Sequence, residues 1–462
     1  MPETGPRPLA IVVLAAGKGT RMRSAQPKVL HQIAGLSMLG HVLATASALQ
    51  PSRVAVVVGA GADAVGAAAS ALIPDAAICL QAEQRGTAHA VLASADALKG
   101  FEGDVLVMYA DTPLLTRETL ARLRHASAPD GTVPAIRILG FEAEAPDRYG
   151  RLVIDGQGRL LRIVEAKNAT ADELAITTCN SGVMVAAADT MRRLLDRVTD
   201  DNDQGEFLLT DLVELATADG LAATAVLCPM DETMGVNHRV DLARAEAIWQ
   251  ARARRAAMLA GATLSAPETV TLAHDTVLEA DVTIGPGVVF GPGVSVRSGA
   301  RIEAYCHLAD TDIASGATVG PFARLRGGCR IGADTRIGNF VEMKAADFQA
   351  GAKAAHLSYV GDATVGPGAN LGCGTVTCNY DGVQKHRTTI EAGAFIGTNS
   401  SLVAPVTVGA GAYVATGTVV TKDVPGGALA IARVAQTNRD GAAGRLRAAM
   451  LARKAAQAPK KA

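Results

Sequence analysis

The sequence predicts two architectures in one chain: an α/β domain with a mainly parallel sheet, then a connecting helix and a β-helix of hexapeptide repeats. Three observations predict it. Apolar, strand-like runs alternate with helical patterns over residues 8–233. One helical pattern, without Pro or Gly, covers His238–Ala260. From Leu272 onward an apolar residue returns at every sixth position. The length agrees, because 462 residues are more than one hydrophobic core usually serves.

In the α/β part, Ile11–Ala15, Val54–Val58 and Asp104–Tyr109 read as continuous apolar strands buried on both faces. Helical patterns over Val29–Leu49 and Ala88–Leu98 lie between them. Such alternation implies a parallel sheet covered by helices, with ligands at the carboxyl ends of the strands. The first run, Leu9–Ala16, has the length of a signal-peptide core. Glu3 and a lone Arg7 make a poor charged flank, however, and Gly17-Lys18-Gly19 follows directly, so it reads as a buried strand.

The helical pattern has Val240, Leu242, Ala247, Ile248, Ala251 and Met258 on its apolar side, with Arg252, Arg254 and Arg255 read as a solvated outer face. The hexad lattice then runs Leu272, Leu278, Ile284, Phe290, Val296, Ile302, Leu308. It slips by one residue and resumes at Ile313, Val319, Leu325, Ile331, Ile337 and Met343. After an interruption it returns at Ile390, Ile396, Leu402, Val408, Val414 and Val420. Neither a helix (period 3.6) nor a plain strand (period 2) sustains a six; stacked coils of a parallel β-helix do. The low aromatic content, 3%, suits a narrow prism packed with Val, Ile and Ala. The expected domains are therefore 1–233, a connecting helix at 234–262, a β-helix at 263–437, and an Ala-, Arg- and Lys-rich tail at 438–462 ending Pro459-Lys460-Lys461.

Bulk properties narrow the function classes. A net charge of -1 gives no bulk basicity, which argues against a nucleic-acid partner. No apolar run is long enough to cross a membrane. Seven scattered Cys without CxxC spacing suit a reducing, cytoplasmic compartment and no structural zinc.

Two constellations carry chemistry. The first strand ends in Leu14-Ala15-Ala16-Gly17-Lys18-Gly19-Thr20-Arg21-Met22, with Pro27-Lys28 downstream. Glycines let backbone N–H groups approach phosphate oxygens, and Arg and Lys neutralise them. The Walker spacing is absent. This string resembles the signature of sugar-1-phosphate nucleotidyltransferases, and the resemblance implies a Rossmann-like domain that binds UTP and a sugar phosphate. It extends to Gln81 through Thr87, similar to the loop that reads the uracil base, with Gln81, Gly86 and Thr87 as contacts. It extends to Tyr109-Ala110-Asp111 at a strand end, to Asn180 and to Asn237. Gly150 and Glu165 resemble the sugar-contacting positions. Asp111 and Asn237 offer oxygen to Mg²⁺, which takes few protein ligands and bridges phosphates. The family usually has Gly where this chain has Ala110, which adds a methyl and disfavours positive φ.

The second constellation falls where the hexad weakens: Arg324-Leu325-Arg326, Met343-Lys344, His356-Leu357-Ser358-Tyr359, Asn370 and Cys378-Asn379-Tyr380-Asp381-Gly382. Thr377–Thr389 breaks the lattice, and excursions from a regular scaffold are where binding concentrates. These motifs resemble the acetyltransferase half of the bacterial family that joins N-acetylglucosamine-1-phosphate uridyltransferase to glucosamine-1-phosphate N-acetyltransferase. The resemblance runs from about residue 9 to 435 in the same domain order. It implies a left-handed β-helix, a homotrimer, and acetyl-CoA and UTP as co-substrates with small-molecule acceptors. It implies His356 as general base and Arg326, Lys344, Tyr359 and Asn370 as holders of glucosamine 1-phosphate. Cys373, Asn379, Tyr380, Thr398, Thr416 and Arg433 would line the acetyl-CoA groove. Two other readings stay open: a single-activity pyrophosphorylase with a structural β-helix, and a non-enzymatic scaffold. The first would not need His356, Lys344 and Asn379-Tyr380; the second would not need the glycine loop, Asp111 or Asn237.

Overall fold

The computed structural model describes residues 7–59, 61–146, 148–202 and 205–457. Glu3 and the Pro459-Lys460-Lys461 end lie outside the described residues. The chain forms two compact units. One holds everything described up to Gly261 together with Ala266–Thr276 and Phe290–Gly293; the other holds the rest.

The first unit is built on a nine-stranded sheet. We number its strands β1 (Leu9–Ala15), β2 (Arg53–Gly59), β3 (Ala77–Gln81), β4 (Asp104–Tyr109), β5 (Ile136–Glu142), β6 (Arg151–Ile154), β7 (Leu160–Val164), β8 (Thr178–Ala187) and β9 (Ala223–Cys228). The order is β9-β5-β8-β4-β1-β2-β3, with β6 pairing to β8 and β7. β1 pairs in parallel with both β2 and β4. β8 is antiparallel to β4 and β5, which the alternation did not anticipate. Strand β1 is buried along its whole length, as a central parallel strand must be. Alternate residues feed two cores: Ala10, Val12 and Leu14 face one side, and Leu9, Ile11 and Val13 the other.

Helices cover the faces: α1 (Met38–Ala48), α2 (Asp63–Leu72), α3 (Thr87–Leu92), α4 (Arg117–His125), α5 (Ala171–Leu174), α6 (Ala188–Leu195), α7 (Asp211–Ala218) and α8 (Arg239–Leu259). Two sequence expectations need correction. Val29–Leu49 is not one helix. A 3₁₀ turn at Lys28–Leu30 leads into a small hairpin of Gln32–Ile33 and Leu36–Ser37, turned by Ala34 (φ 50°) and Gly35 (φ 79°). The helix starts only at Ser37, whose side chain caps the N–H of Gly40. Similarly, the second pattern is helical only over Thr87–Leu92, after which tighter turns carry the chain on. The connecting helix α8 is as long as expected, but its arginines are not all solvated. Arg252 donates to the Leu114 carbonyl at 2.8 Å and Arg254 to the Val270 carbonyl at 3.0 Å.

The second unit is a left-handed parallel β-helix of three ladders, ten, eight and eight strands long. Inward residues stack in register, as in Ile284, Ile302, Val319, Ile337, Ala354, Leu371, Ile396 and Val414 on the ten-stranded face. The coil starts at Thr263–Leu264, while Leu272 packs in the other unit. The interruption read from the sequence is not structural until residue 379. Phe348, Ala354, Val360, Val365, Leu371 and Thr377 fill the inward column without a gap. Ala354 and Thr377 hide the repeat because one is small and the other polar. Thr377 is satisfied inside the prism, accepting from the Gly361 N–H at 2.8 Å and donating to the Gly361 carbonyl at 3.1 Å. The tail forms α9 (Ala442–Ala456), none of whose residues is buried.

Candidate active sites

At the carboxyl end of β1 the chain leaves the core at Ala16 and turns through Gly17-Lys18-Gly19. Gly19 has φ 61°, and a Cβ there would overlap the side chain of Lys28, so glycine lets the loop cross the lysine. Lys28 Nζ donates to Asp111 Oδ2 at 2.6 Å and to Asn237 Oδ1 at 3.2 Å. Arg21 donates to the same Asn237 oxygen at 2.9 Å. Asp111 is held by the end of β4, and its carbonyl accepts from Val236 N–H at 2.9 Å. Asn237 is fixed from the other side. Its N–H donates to Asp241 Oδ2 at 2.8 Å, and Asp241 with His238 forms the capping box that starts α8. Asp241 escaped the sequence reading; an acid three residues after a candidate helix cap was the available signal.

Leu14, Ala15, Ala16, Gly17, Lys28 and Asp111 line one cavity of about 310 Å³. Gln81, Gly86, Thr87 and Tyr109 line it as well, and so do Gln84 and Glu206, which the sequence did not single out. Gln81 donates to the Gly86 carbonyl at 3.1 Å. A Cβ at Gly86 would overlap the backbone of Phe207, which is laced to Arg85 and Ala88 by 2.8 and 2.9 Å backbone bonds. Thr87 accepts from the Leu209 N–H at 2.9 Å. Burial pushes the Tyr109 phenol well above its usual range, and the Asp111 and Glu165 charges add to this against a Thr87 hydrogen bond. Ala110 is fully buried, donates to the Leu14 carbonyl at 3.0 Å and does not have a positive φ, so its methyl sits in the core rather than straining the turn.

Gly150, Glu165 and Asn180 lie on the β6–β8 side. The Asn180 N–H donates to the Gly150 carbonyl at 2.8 Å, and a Cβ on Gly150 would lie 3.7 Å from that of Asn180. Asn180 Oδ1 in turn accepts from the Gly182 N–H at 2.9 Å, and Gly182 packs on the Tyr109 ring. Burial raises the Glu165 carboxyl, with Lys167 opposing. Asp211, also unforeseen, is pushed up to about 6 by burial and then by Glu214 and Glu165. The convergence of one carboxylate and one amide oxygen on a lysine ammonium marks a place that favours positive charge. That donor set fits Mg²⁺, a hard cation content with one or two protein oxygens.

In the β-helix, His356 ends the strand Lys353–His356 on the ten-stranded face and is exposed. Its Nδ1 pairs with Asn339 Oδ1 at 2.8 Å, one coil below in register. An oxygen acceptor there puts the proton on Nδ1 and leaves the Nε2 lone pair free. A Cβ on neighbouring Gly338 would overlap the Ala355 carbonyl, so that rung has no room for a side chain. Cys373, Thr398 and Thr416 follow on the same corner in successive coils. Their carbonyls accept from Asn399 N–H (2.7 Å), Gly417 N–H (2.8 Å) and Arg433 Nη1 (2.7 Å). Asn370 stands just before this corner, in register between Lys353 and Phe395.

Arg326 and Lys344 stand at the next corner, at the ends of paired strands on the adjoining face. Arg326 forks onto Glu342 Oε1 at 2.8 and 3.1 Å. The excursion spans residues 379–387, where Asn379 donates to Asp362 Oδ2 at 2.5 Å and the Tyr380 hydroxyl to the Gly382 carbonyl at 2.6 Å. Gly361 leaves room there, since a Cβ would crowd the Tyr359 hydroxyl (2.5 Å) and Asn379 Nδ2 (2.7 Å). The sequence reading missed Lys385. Its ammonium is lowered by hydrogen bonding and repulsion from Lys344, so two cations face one small space. Backbone N–H groups of Gln384 and Val383, with His386, hold the Asp381 carboxyl far below its usual range and rigidify the loop.

The chain thus has a glycine-turn site lined by Lys28 and Asp111 in an α/β unit and a histidine-and-cation site on a β-helix. Residues 11–142 match the MobA-like NTP transferase domain. The chain is 56% identical over 449 residues to the bifunctional protein GlmU of Ruegeria sp. (strain TM1040), covering 97% of this chain and 99% of that one. It is 52% identical to that of Jannaschia sp. (strain CCS1), covering 98% and 99%. It is 56% identical to that of Azorhizobium caulinodans, covering 96% and 98%. The chain belongs to the GlmU family.

Proposed function

We propose that the two sites divide one synthesis between them. The chain is a bifunctional enzyme of UDP-N-acetylglucosamine synthesis. It moves acetyl from acetyl-CoA to glucosamine 1-phosphate, then uridyl from UTP to N-acetylglucosamine 1-phosphate with release of pyrophosphate.

For uridyl transfer, the sugar phosphate attacks the α-phosphorus of UTP, and the protein positions groups and neutralises charge. Gly17 and its neighbours would approach the phosphates, Arg21 and Lys28 would balance them, and Gln81, Gly86 and Thr87 would hold the base. Gly150, Glu165 and Asn180 would hold the sugar. Asp111 and Asn237 would hold Mg²⁺, which when bound offsets phosphate charge. For acetyl transfer, His356 Nε2 would take the proton of the sugar amine as it attacks the thioester. Arg326, Lys344, Tyr359 and Asn370 would hold the sugar phosphate, with Lys385 added to that set. Asn379, Tyr380, Cys373, Thr398, Thr416 and Arg433 would line the acetyl-CoA groove.

The observation that carries this division is the His356–Asn339 pair, which leaves one ring nitrogen basic on an otherwise bland prism. The same prism supports a homotrimer. The His356 line and the Lys344 line occupy successive corners of one chain, so a cleft between neighbouring copies would bring one line against the other. With no helix of the described residues long and apolar enough to cross a membrane, a cytoplasmic setting fits the substrates. The test is His356→Ala assayed for both products. Acetyl transfer should fall by ~10²–10⁴ while uridyl transfer holds; loss of both, or of neither, refutes the division.

A further inference from the structure

Behind the nucleotide cavity the first unit contains a second one, of about 220 Å³, that none of the roles above uses. Its depth is apolar and buried, formed by Val91, Val105, Met191 and Leu195. Its mouth is exposed and carries Lys99 and Arg192 against a single acid, Asp96. Neither cation forms a salt bridge among the described residues. A void this size is not ordinary packing: a 150 Å³ apolar cavity stays dry and takes benzene, so this one has room for roughly six to eight carbons.

Helix α3 is the wall between the two cavities. Ala90 lines the nucleotide cavity and Val91, the next residue, lines the apolar one. The helix begins at Thr87, which is tied to Leu209 N–H and lines the nucleotide cavity together with Tyr109. Strand β4 runs the same way, with Val105 on the apolar cavity and Tyr109 on the nucleotide cavity. A molecule that fills the apolar space presses on the element that carries the base contacts.

We propose that this cavity binds a small amphipathic carboxylate, its acyl tail inside and its head between Lys99 and Arg192, and that occupancy modulates uridyl transfer. The modulatory part rests on the uridyl-site assignment above; the binding part does not. Octanoate is the probe, with saturation-transfer NMR on the full chain reading binding independently of activity. Binding should be seen, should weaken at least about tenfold in the Lys99→Glu/Arg192→Glu double variant and should vanish in Ala188→Phe, which places a ring in the space. The double variant alters only exposed side chains and so keeps the test open if Ala188→Phe misfolds. In wild type, octanoate should raise the KM for UTP and leave acetyl transfer unchanged. No binding up to about 10 mM, or binding equal in wild type and the double variant, overturns the site. Octanol binding as well as octanoate overturns the anionic class. Binding without a change in uridyl transfer overturns the modulation.

Discussion

Asn339→Ala tests the acetyl site through a residue that touches no reacting atom. Asn339 ends the strand Arg336–Asn339, and its backbone carbonyl accepts from the Leu357 N–H at 3.0 Å, so alanine keeps the rung. What is lost is the 2.8 Å bond to His356 Nδ1, the one side-chain partner of that ring among the described residues. A net hydrogen bond of this exposed kind contributes about 0.5–1.5 kcal/mol. At about 1.4 kcal/mol per decade, the loss of tautomer and ring orientation should lower kcat for acetyl transfer about two- to tenfold. That is far below the ~10²–10⁴ expected for loss of the base itself. The KM for glucosamine 1-phosphate should stay near wild type, because Arg326 and Lys344 stand at another corner. In Asn339→Asp a carboxylate would favour the imidazolium, so the acid limb of kcat/KM should move to higher pH. Steady-state kinetics across pH reads all three quantities. A loss as large as that of His356→Ala, or a rise in KM without a fall in kcat, would refute orientation as the role of Asn339.

Further outcomes follow from the same geometry. Asp111→Asn and Asn237→Ala should each abolish uridyl transfer at limiting Mg²⁺ and leave acetyl transfer near wild type; full uridyl activity in either variant removes it from the metal site. Asp211→Asn should raise Tm, and the gain depends on pH. The folded carboxyl is raised to about 6 from 3.8, so ionising it opposes folding. The gain should be absent below the unfolded value, grow as pH rises through about 6 and stay constant above; a gain equal at pH 4 and 8 rules out the ionisation as cause. Light scattering should give three times the chain mass, and a monomer with full acetyltransferase activity would refute the shared site.

The β-helix was legible because burial demands a branched apolar residue at one position in six. It was illegible where that demand was met otherwise: Ala354 fills a tight rung, and Thr377 bonds both ways to Gly361. The helix read over Val29–Leu49 failed because Ala34, not an obvious turn residue, takes a positive φ beside Gly35. At the sites, most residues proposed to contact ligands stood out as charged or glycine-rich strings. Residues that hold those residues did not, and neither did Lys385. Asn339 is found only through the register with His356, Lys385 only once the loop folds beside Lys344, and Asp241 only through the cap it shares with His238.

The two sites differ in how the fold completes them. In the α/β unit, strand ends, one glycine turn and the start of α8 converge, so Arg21, Lys28, Asp111 and Asn237 meet within one chain. A β-helix cannot do this by itself. Its turns point outward at the corners, and successive corners are held one face apart. The strand Tyr359–Gly361 separates the corner that bears His356 from the corner that bears Lys344 and Asn379. Stacking more coils lengthens each line without bringing the two together. In the proposed trimer a second prism set alongside supplies the opposing wall, and the excursion at 379–387, stiffened by Asp381 and His386, stands at the corner where that wall would meet it. On the proposed division of roles, assembly is a requirement of the acetyl-transfer chemistry rather than an addition to a finished enzyme.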